Sequence, residues 1–137
     1  MRLLVCLLLA GLGLFGQSAT LTVNVKGFGS DKGSAMAALY DDAGAYPMKE
    51  AKSKDKQMVK IVQGVAVFTF KGVAPGTYAV AVYHDENGNG KMDTNFIGIP
   101  KERTGASNDA KGKMGPPKFQ DAKFVLSGDL GISITMQ

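Results

Sequence analysis

The chain has one cysteine, one histidine and no tryptophan in 137 residues. The cysteine, Cys6, lies in the leading apolar segment, so the rest of the chain has no thiol for disulfides, thiolate catalysis or thiolate metal ligands. Stability must therefore come from a packed apolar core, which a chain of this length can form. A single histidine without cysteine partners is also a poor basis for a zinc or copper site.

Long hydrophobic runs are missing except at the N-terminus. There a basic residue precedes an apolar segment, residues 3–15, and small residues follow it. This is the pattern of a cleaved secretory signal peptide, and the run is shorter than the ~20 residues that a membrane-spanning helix needs. We predict a signal peptide at residues 1–19, cut after Ser18 or Ala19, and a single domain at residues 20–137. The expected location is periplasmic or secreted, with no stable membrane insertion after cleavage.

The charge is only weakly unbalanced. Sixteen lysines and arginines stand against twelve aspartates and glutamates, which gives a formal net charge of +4. Lysine dominates over arginine, and the basic residues are not interleaved with aromatic ones, so a nucleic-acid partner is not predicted. The cations are interpreted as solvated loop residues.

Apolar residues alternate with polar ones over most of residues 20–137, and turn residues separate the alternating stretches. A period of two predicts strands with one buried face. We expect an all-β fold, a seven-stranded β-sandwich of transthyretin-like or immunoglobulin-like form. The predicted strands begin near Leu21, Ala35, Met58, Val65, Thr77, Ala122 and Leu130. The predicted core is Leu21, Val23, Val25, Met36, Leu39, Phe68, Phe70, Tyr78, Val80, Val82, Phe124 and Ile132.

Oxygen-bearing side chains occupy alternate positions directly after the predicted fifth strand. Asp85, Asn87 and Asn89 are followed by a glycine and then by Asp93, which matches the first nine positions of a calcium loop. The twelfth position is Phe96 and not the usual bidentate glutamate, so the expected affinity is weak, of about 0.1–1 mM. The predicted calcium ligands are Asp85, Asn87, Asn89, the carbonyl of Lys91, Asp93 and Glu102.

Other interpretations of these residues stay open. An Asx-rich turn would use the same side chains to bond their own backbone, without a metal. His84 beside Asp85, with a serine such as Ser107, would supply the base and the nucleophile of a hydrolase. The simpler role for His84 is to hydrogen-bond the long loop at the end of the strand.

Several motifs recur in an order that resembles a known family. These motifs are Pro75-Gly76-Thr77-Tyr78, His84-Asp85, Asn87, Asn89-Gly90, Asp93, Asn95-Phe96, Gly98-Ile99-Pro100-Lys101-Glu102, Ser107-Asn108 and Gly115-Pro116-Pro117. The series resembles the exported bacterial family catalogued as domain of unknown function 2141, from about Leu21 to the end of the chain. The resemblance implies an exported β fold and no particular activity.

The function expected from the sequence is therefore a non-enzymatic exported binding or structural module with a calcium-braced loop. Rigid strands would hold the loop at one end of the fold, where such scaffolds carry function. The loop would present Asn95, Glu102, Arg103, Ser107 and Asn108 to a protein or glycan partner. The alternatives are the hydrolase that uses His84 and Asp85, and a structural accessory domain without a ligand.

Overall fold

The computed structural model describes residues 18–86, 103–113 and 115–137. Most of the predicted signal peptide lies outside these residues. So do five of the six predicted calcium ligands, Asn87, Asn89, Lys91, Asp93 and Glu102. Of that set, the structure describes Asp85 alone.

The described residues form eight strands and very little helix. The strands are β1 (Ala19–Lys26), β2 (Ser34–Tyr40), β3 (Asp55–Val59), β4 (Val65–Val73), β5 (Gly76–Asp85), β6 (Thr104–Ala106), β7 (Phe124–Leu126) and β8 (Leu130–Thr135). Short 3-10 turns occupy Glu50–Lys52 and Ser107–Asp109, and a single helical turn, α1, occupies Phe119–Ala122. The all-β prediction is confirmed, but the predicted count of seven strands is wrong.

The additional strand is β6, which the sequence pattern does not reveal. It is only three residues long and lies in a stretch rich in glycine and polar residues. It forms because it pairs antiparallel with β5, placing Gly105 opposite Val82. A strand this short is set by its partner and not by its own alternation.

The strands form two sheets. One has three strands in the order β4-β1-β8, and the other has five, in the order β3-β2-β5-β6 with β7 also paired to β5. All pairings are antiparallel except that of β1 with β8, which is parallel. The first and last strands of the described chain are therefore neighbours in the smaller sheet.

One apolar core takes side chains from both sheets. Alternate residues of β1 point into it, and Leu21, Val23 and Val25 are fully buried, as are Phe68 and Phe70 of β4. Each such side chain contributes roughly 1.5–3 kcal/mol of transfer free energy. The prediction of this core is confirmed with small differences. Phe124 and Ile132 are only partly buried against it, and Met36 is buried outside it.

A second, smaller cluster covers the outer face of the five-stranded sheet. It contains Ala38, Tyr40, Ala45, Tyr46, Ala79 and Ala122, with the ring of Phe119 packed against it. Tyr46 meets Tyr40 edge to face at 5.3 Å between ring centroids. After Ser34, strand β2 is consequently buried on both faces, which explains why its sequence from Ala35 to Tyr40 is apolar and does not alternate.

The neighbouring edges of the two sheets are bridged by hydrogen bonds. On one side, Gln57 of β3 donates from Nε2 to the carbonyl of Thr69 at 2.5 Å and accepts the Thr69 N–H at 3.2 Å. Its side-chain amide thus donates and accepts one hydrogen bond each with the Thr69 backbone, as a neighbouring strand would. On the other side, Gln137 and Thr104 of β6 exchange backbone hydrogen bonds of 2.9 and 3.4 Å. Both edges have a partner at these positions, which protects them from pairing with other chains.

Gln57→Ala is expected to lower the free energy of unfolding by about 1 kcal/mol, the typical net contribution of an intramolecular hydrogen bond. Both bonds to Thr69 are lost, but this edge is exposed and water replaces them. Chemical denaturation would measure the change. The control is Gln120→Ala, because Gln120 is exposed on α1. Equal stability of the two variants would show that the Gln57 bridge contributes nothing.

Candidate functional site

The ends of strands β5 and β6 form the base of the segment at residues 87–102. The backbone N–H of His84 donates to the carbonyl of Arg103 at 3.0 Å. The next pair along the ladder is Tyr83 and Thr104. The chain therefore leaves β5 and returns into β6 at adjacent positions, and His84 and Arg103, on either side of the segment, are joined by a backbone hydrogen bond.

His84 is the most deeply buried polar side chain at this base, with no exposed surface. Its Nε2 lies 2.7 Å from the carbonyl oxygen of Lys32, and the ring of Phe28 contacts it edge to face at 5.2 Å. A carbonyl only accepts hydrogen bonds, so Nε2 must carry the proton. The His84 side chain thus hydrogen-bonds the loop between β1 and β2, and not the long loop after β5 that the sequence suggested.

The other ring nitrogen of His84 faces a carboxylate. Nδ1 lies 3.5 Å from Oε1 of Glu86, whose side chain is about half exposed. Nδ1 is buried and has no hydrogen-bond partner within residues 18–86, 103–113 and 115–137. Buried polar atoms without a partner are rare in native structures, so this atom calls for an explanation.

Asp85 belongs to the opposite face of the sheet from His84. Successive side chains of a strand alternate between faces, and His84 lies on the face of Val80 and Val82. Asp85 is nevertheless only 1% exposed. This predicted calcium ligand is thus held at the start of the segment, and the two neighbours do not form a His–Asp pair on one face.

The backbone at Gly33 packs directly against the end of β5. A Cβ atom there would collide with the carbonyl oxygen of Asp85 and lie 2.9 Å from that of Glu86. Gly33 also has φ of +67°, in the left-handed region that favours glycine. The β1–β2 loop therefore contacts the base twice, through the Lys32 carbonyl and through the bare Cα of Gly33.

Ser107 fills the gap along β5 between β6 and β7. Its Oγ accepts the N–H of Val80 at 2.9 Å and donates to the carbonyl of Ala122 at 2.6 Å. The residue is 1% exposed. The hydroxyl thus takes the place of a strand partner for Val80, and its proton is committed to a backbone carbonyl.

A tyrosine completes the hydrogen bonding at this point. Tyr46 donates its hydroxyl to the carbonyl of Val80 at 3.1 Å. Burial and, to a smaller extent, the neighbouring Tyr40 raise the pKa of Tyr46, while a hydrogen bond with Ser107 lowers it. The net direction is upward, so the hydroxyl stays protonated and acts as a donor at neutral pH.

The geometry gives no support to the His84–Asp85–serine hydrolase. Ser107 bonds to Val80, which lies four residues before His84, or about 13 Å along the strand. The Ser107 hydroxyl and the His84 Nε2 are each bonded to backbone carbonyls. The hydrogen bonds of Ser107 and His84 therefore give both residues a structural role.

Two other residues expected to contact a partner, Arg103 and Asn108, also have structural roles. Asn108 donates to the carbonyls of Asp121 and Lys123, and Arg103 donates from Nη1 to the carbonyl of Gly27 at 3.0 Å. Among the members of this set that the structure describes, Arg103 and Asn108 are exposed and Ser107 is buried. Asn95 and Glu102 lie outside the described residues.

Sequence reasoning missed the residues that surround His84. Phe28, Lys32 and Gly33 come from a turn that the pattern marks only as irregular, and Glu86 is not a ligand position of the calcium loop. Glu86 follows the last residue of β5, so the alternation of the strand does not place it beside His84. No signal in the sequence places the β1–β2 loop beside it.

The described residues contain few other features that point to a function. No group of three or more histidine, cysteine, aspartate or glutamate side chains there is arranged to hold a metal ion. Among the same residues, every helix is too short or too polar to cross a membrane.

Comparison with known proteins places the chain in a bacterial family. A family model described as an uncharacterized protein conserved in bacteria (DUF2141) matches residues 23–133. The match confirms the resemblance seen in the sequence and spans both sheets. No curated protein and no solved structure matches the chain.

Proposed function

Because the chain belongs to the DUF2141 family of bacterial proteins, we propose that it is a non-enzymatic exported module that presents residues 87–102 to a partner. The observation that carries the proposal is the hydrogen bond from His84 N–H to the Arg103 carbonyl, at 3.0 Å. It joins the residues on either side of the segment at the end of the five-stranded sheet. A binding loop needs such an anchor, since ordering a free loop on binding costs conformational entropy.

Calcium is proposed as the ion that orders this segment. Asp85 supplies a carboxylate at the end of β5, and the oxygen-bearing residues Asn87, Asn89 and Asp93 follow at loop spacing. The burial of Asp85 supports the proposal, because a ligand fixed by its strand loses little freedom when the ion binds. The full proposed set also contains the Lys91 carbonyl and Glu102.

Calcium is expected to raise the midpoint of thermal unfolding. At an ion concentration of about ten times the dissociation constant, selective binding to the folded state adds ~1.4 kcal/mol. For a domain of this size that is a shift of about 4–6 °C. Differential scanning calorimetry with 10 mM calcium, and with chelator in its place, would measure it.

The matched variants are Asp93→Asn and Asp121→Asn. The first removes a proposed ligand charge and is expected to abolish most of the shift. The second removes an exposed carboxylate on α1, outside the proposed set, and is expected to leave the shift intact. A midpoint indifferent to calcium in the unaltered protein would contradict calcium binding and favour the Asx-rich turn.

The proposal includes export and a more specific fold class. The leading segment has the pattern of a signal peptide, and cleavage after Ser18 would retain Ala19, the first residue of β1, which is 4% exposed. The mature protein would then be periplasmic or secreted. A core shared between two sheets supports a β-sandwich of transthyretin-like or immunoglobulin-like form.

A protein or a glycan is the proposed partner class. The segment carries amide and hydroxyl side chains together with apolar ones, a mixture that suits hydrogen-bonding surfaces. Export removes nucleic acid as a partner. Incubation of the protein with arrays of glycans and with periplasmic extract, in calcium and in chelator, would test this. Calcium-dependent retention is expected. No retention on the glycans and none from the extract would favour a structural accessory domain.

A further inference from the structure

Most of the large apolar side chains that the described residues expose lie on one hairpin, formed by β3, β4 and the turn between them. We call this set the hairpin stripe; it consists of Met58, Val62, Val65 and Val67. Its members are 42–66% exposed, and they are four of the six exposed side chains of this kind in the described part of the chain. Single exposed apolar residues are normal, but a contiguous group marks an interaction site.

The stripe forms one continuous surface because β3 and β4 are joined at two places. Val62 and Val65 exchange backbone hydrogen bonds of 2.9 and 3.1 Å, so their side chains lie on the same side of the hairpin. The side chain of Gln57 joins the two strands again further along. The alternate positions are buried, and these are Ile61, Ala66 and Phe68. The stripe therefore points away from the core.

The tip of the hairpin is fixed by a carboxylate from another loop. Asp31 accepts the backbone N–H groups of Gln63 and Gly64, at 2.9 and 2.8 Å. The three valines of the stripe add to this rigidity, because β-branched side chains have few χ1 rotamers. Little conformational entropy is therefore lost when the stripe is covered by a partner.

The charge around the stripe is positive. Exposed lysines lie at outward positions of β1, β3 and β4 and between β3 and β4, and these are Lys26, Lys56, Lys60 and Lys71. Strands β1 and β4 contain no acidic residue, and Asp55 of β3 is on the other face, opposite Leu39. Two carboxylates nearby are engaged, Asp31 by the turn and Glu50 by Lys56 at 3.8 Å. A complementary partner therefore combines negative charge with an apolar layer.

The size of the stripe distinguishes between the possible occupants. Its four side chains present roughly 300–400 Å² of surface, within the range of a single patch on a monomer. A stable protein interface buries about 800 Å² on each partner. A second copy is also disfavoured because the lysines of the two faces would repel each other. An anionic lipid surface requires no fixed area, since attraction of each nearby lysine adds to the apolar contact.

We propose that the hairpin stripe is a reversible contact site for an anionic lipid surface. The apolar side chains enter the boundary between headgroups and acyl chains, and the long stems of Lys26 and Lys60 allow their charges to stay among the headgroups. The contact is peripheral and leaves the fold intact. It shares no residue with the 87–102 segment, so failure of the lipid contact leaves the proposed function standing, and the reverse also holds.

Vesicles of equal parts phosphatidylglycerol and phosphatidylcholine are the probe, and vesicles of phosphatidylcholine alone are the neutral reference. The protein is recovered after export, and mass spectrometry checks that residues 3–15 have been removed, because that apolar segment would bind lipid by itself. Co-sedimentation is expected with the anionic vesicles and not with the neutral ones. It is expected to weaken as added salt screens the lysines.

The variants test the stripe itself. The triple variant Val62→Thr, Val65→Thr and Val67→Thr is expected to lower the partition coefficient at least about tenfold, because it removes apolar surface that the lipid would cover. The matched control is Val125→Thr, which changes a 70% exposed valine on β7, outside the stripe, and is expected to bind as the unaltered protein does. Thermal unfolding checks that each variant is folded.

The lysines give a second measurement. Lys26→Gln and Lys60→Gln are each expected to weaken binding about fivefold, while Lys123→Gln, an exposed lysine next to β7, is expected to leave it unchanged.

Absence of binding to the anionic vesicles would overturn the proposal. So would equal binding of the triple variant and Val125→Thr. Retention on immobilised polyglutamate without retention by the vesicles would also overturn it and would assign the stripe to an acidic protein.

Discussion

Replacing Gly33 with alanine is expected to destabilise the protein by about 3 kcal/mol or more, an effect at the upper end for a single substitution. Two costs add. A side chain in the left-handed region, here φ of +67°, costs roughly 1–2 kcal/mol. The new Cβ also collides with the carbonyl oxygen of Asp85, which belongs to a strand and has little freedom to move. The β1–β2 loop must therefore withdraw from the end of β5.

Gly72→Ala is the matched control for this prediction. Gly72 has nearly the same φ, +70°, but nothing lies within 4 Å of a Cβ built there. It is expected to show only the conformational cost, of about 1–2 kcal/mol. Urea denaturation of both variants would isolate the collision as their difference. An equal decrease in the free energy of unfolding for both variants would mean that the β1–β2 loop moves away from the Cβ atom at little cost. The loop would then not stabilise the base of the 87–102 segment.

Ser107→Ala is expected to cost about 2–3 kcal/mol. The substitution removes the only side-chain partner seen for the Val80 N–H in the described residues and also frees the Ala122 carbonyl, both in a buried place. Leaving a buried donor or acceptor unsatisfied costs about 1–3 kcal/mol, more than the net gain from making the bond. Calorimetry would measure the loss.

Ser127→Ala serves as the comparison, because Ser127 is exposed in the turn between β7 and β8. Its expected change lies within about 0.5 kcal/mol. If Ser107→Ala and Ser127→Ala lowered the free energy of unfolding equally, the Ser107 hydroxyl would not be a substitute strand partner for Val80. A Ser107→Ala protein that remained stable but lost an esterase activity of the unaltered protein would instead revive the hydrolase.

Much of the fold was predictable because it depends on alternation along single strands. The burial of Leu21, Val23 and Val25 follows from sequence period alone. The sequence pattern predicts that β3 begins at Met58, three residues after its observed start. In the structure the strand runs from Asp55 to Val59. Its polar first half is held by pairing with β2, and an edge strand tolerates exposed charges such as Lys56 that obscure the pattern.

The candidate site was only partly predictable, for a different physical reason. His84 and Asp85 stood out as chemistry-bearing residues at a strand end, and the structure describes both there. Three of its contacts involve a backbone atom and join residues that are distant in sequence. They are Lys32 with His84, Gly33 with Asp85, and Ser107 with Val80. Backbone carbonyls are the same in every residue, so no residue type reveals such contacts before the chain is folded.

The position of β1 has a consequence for when the protein folds. It is the central strand of its sheet, with β4 on one side and β8 on the other. Its parallel pairing with β8 joins Leu21 to Leu130, nearly the full span of the described chain. During synthesis the smaller sheet stays incomplete until the last strand has left the ribosome, and long-range pairing of this kind is slow to form. For the export proposed above, late completion of this sheet would keep the polypeptide unfolded while it crosses a narrow translocation channel.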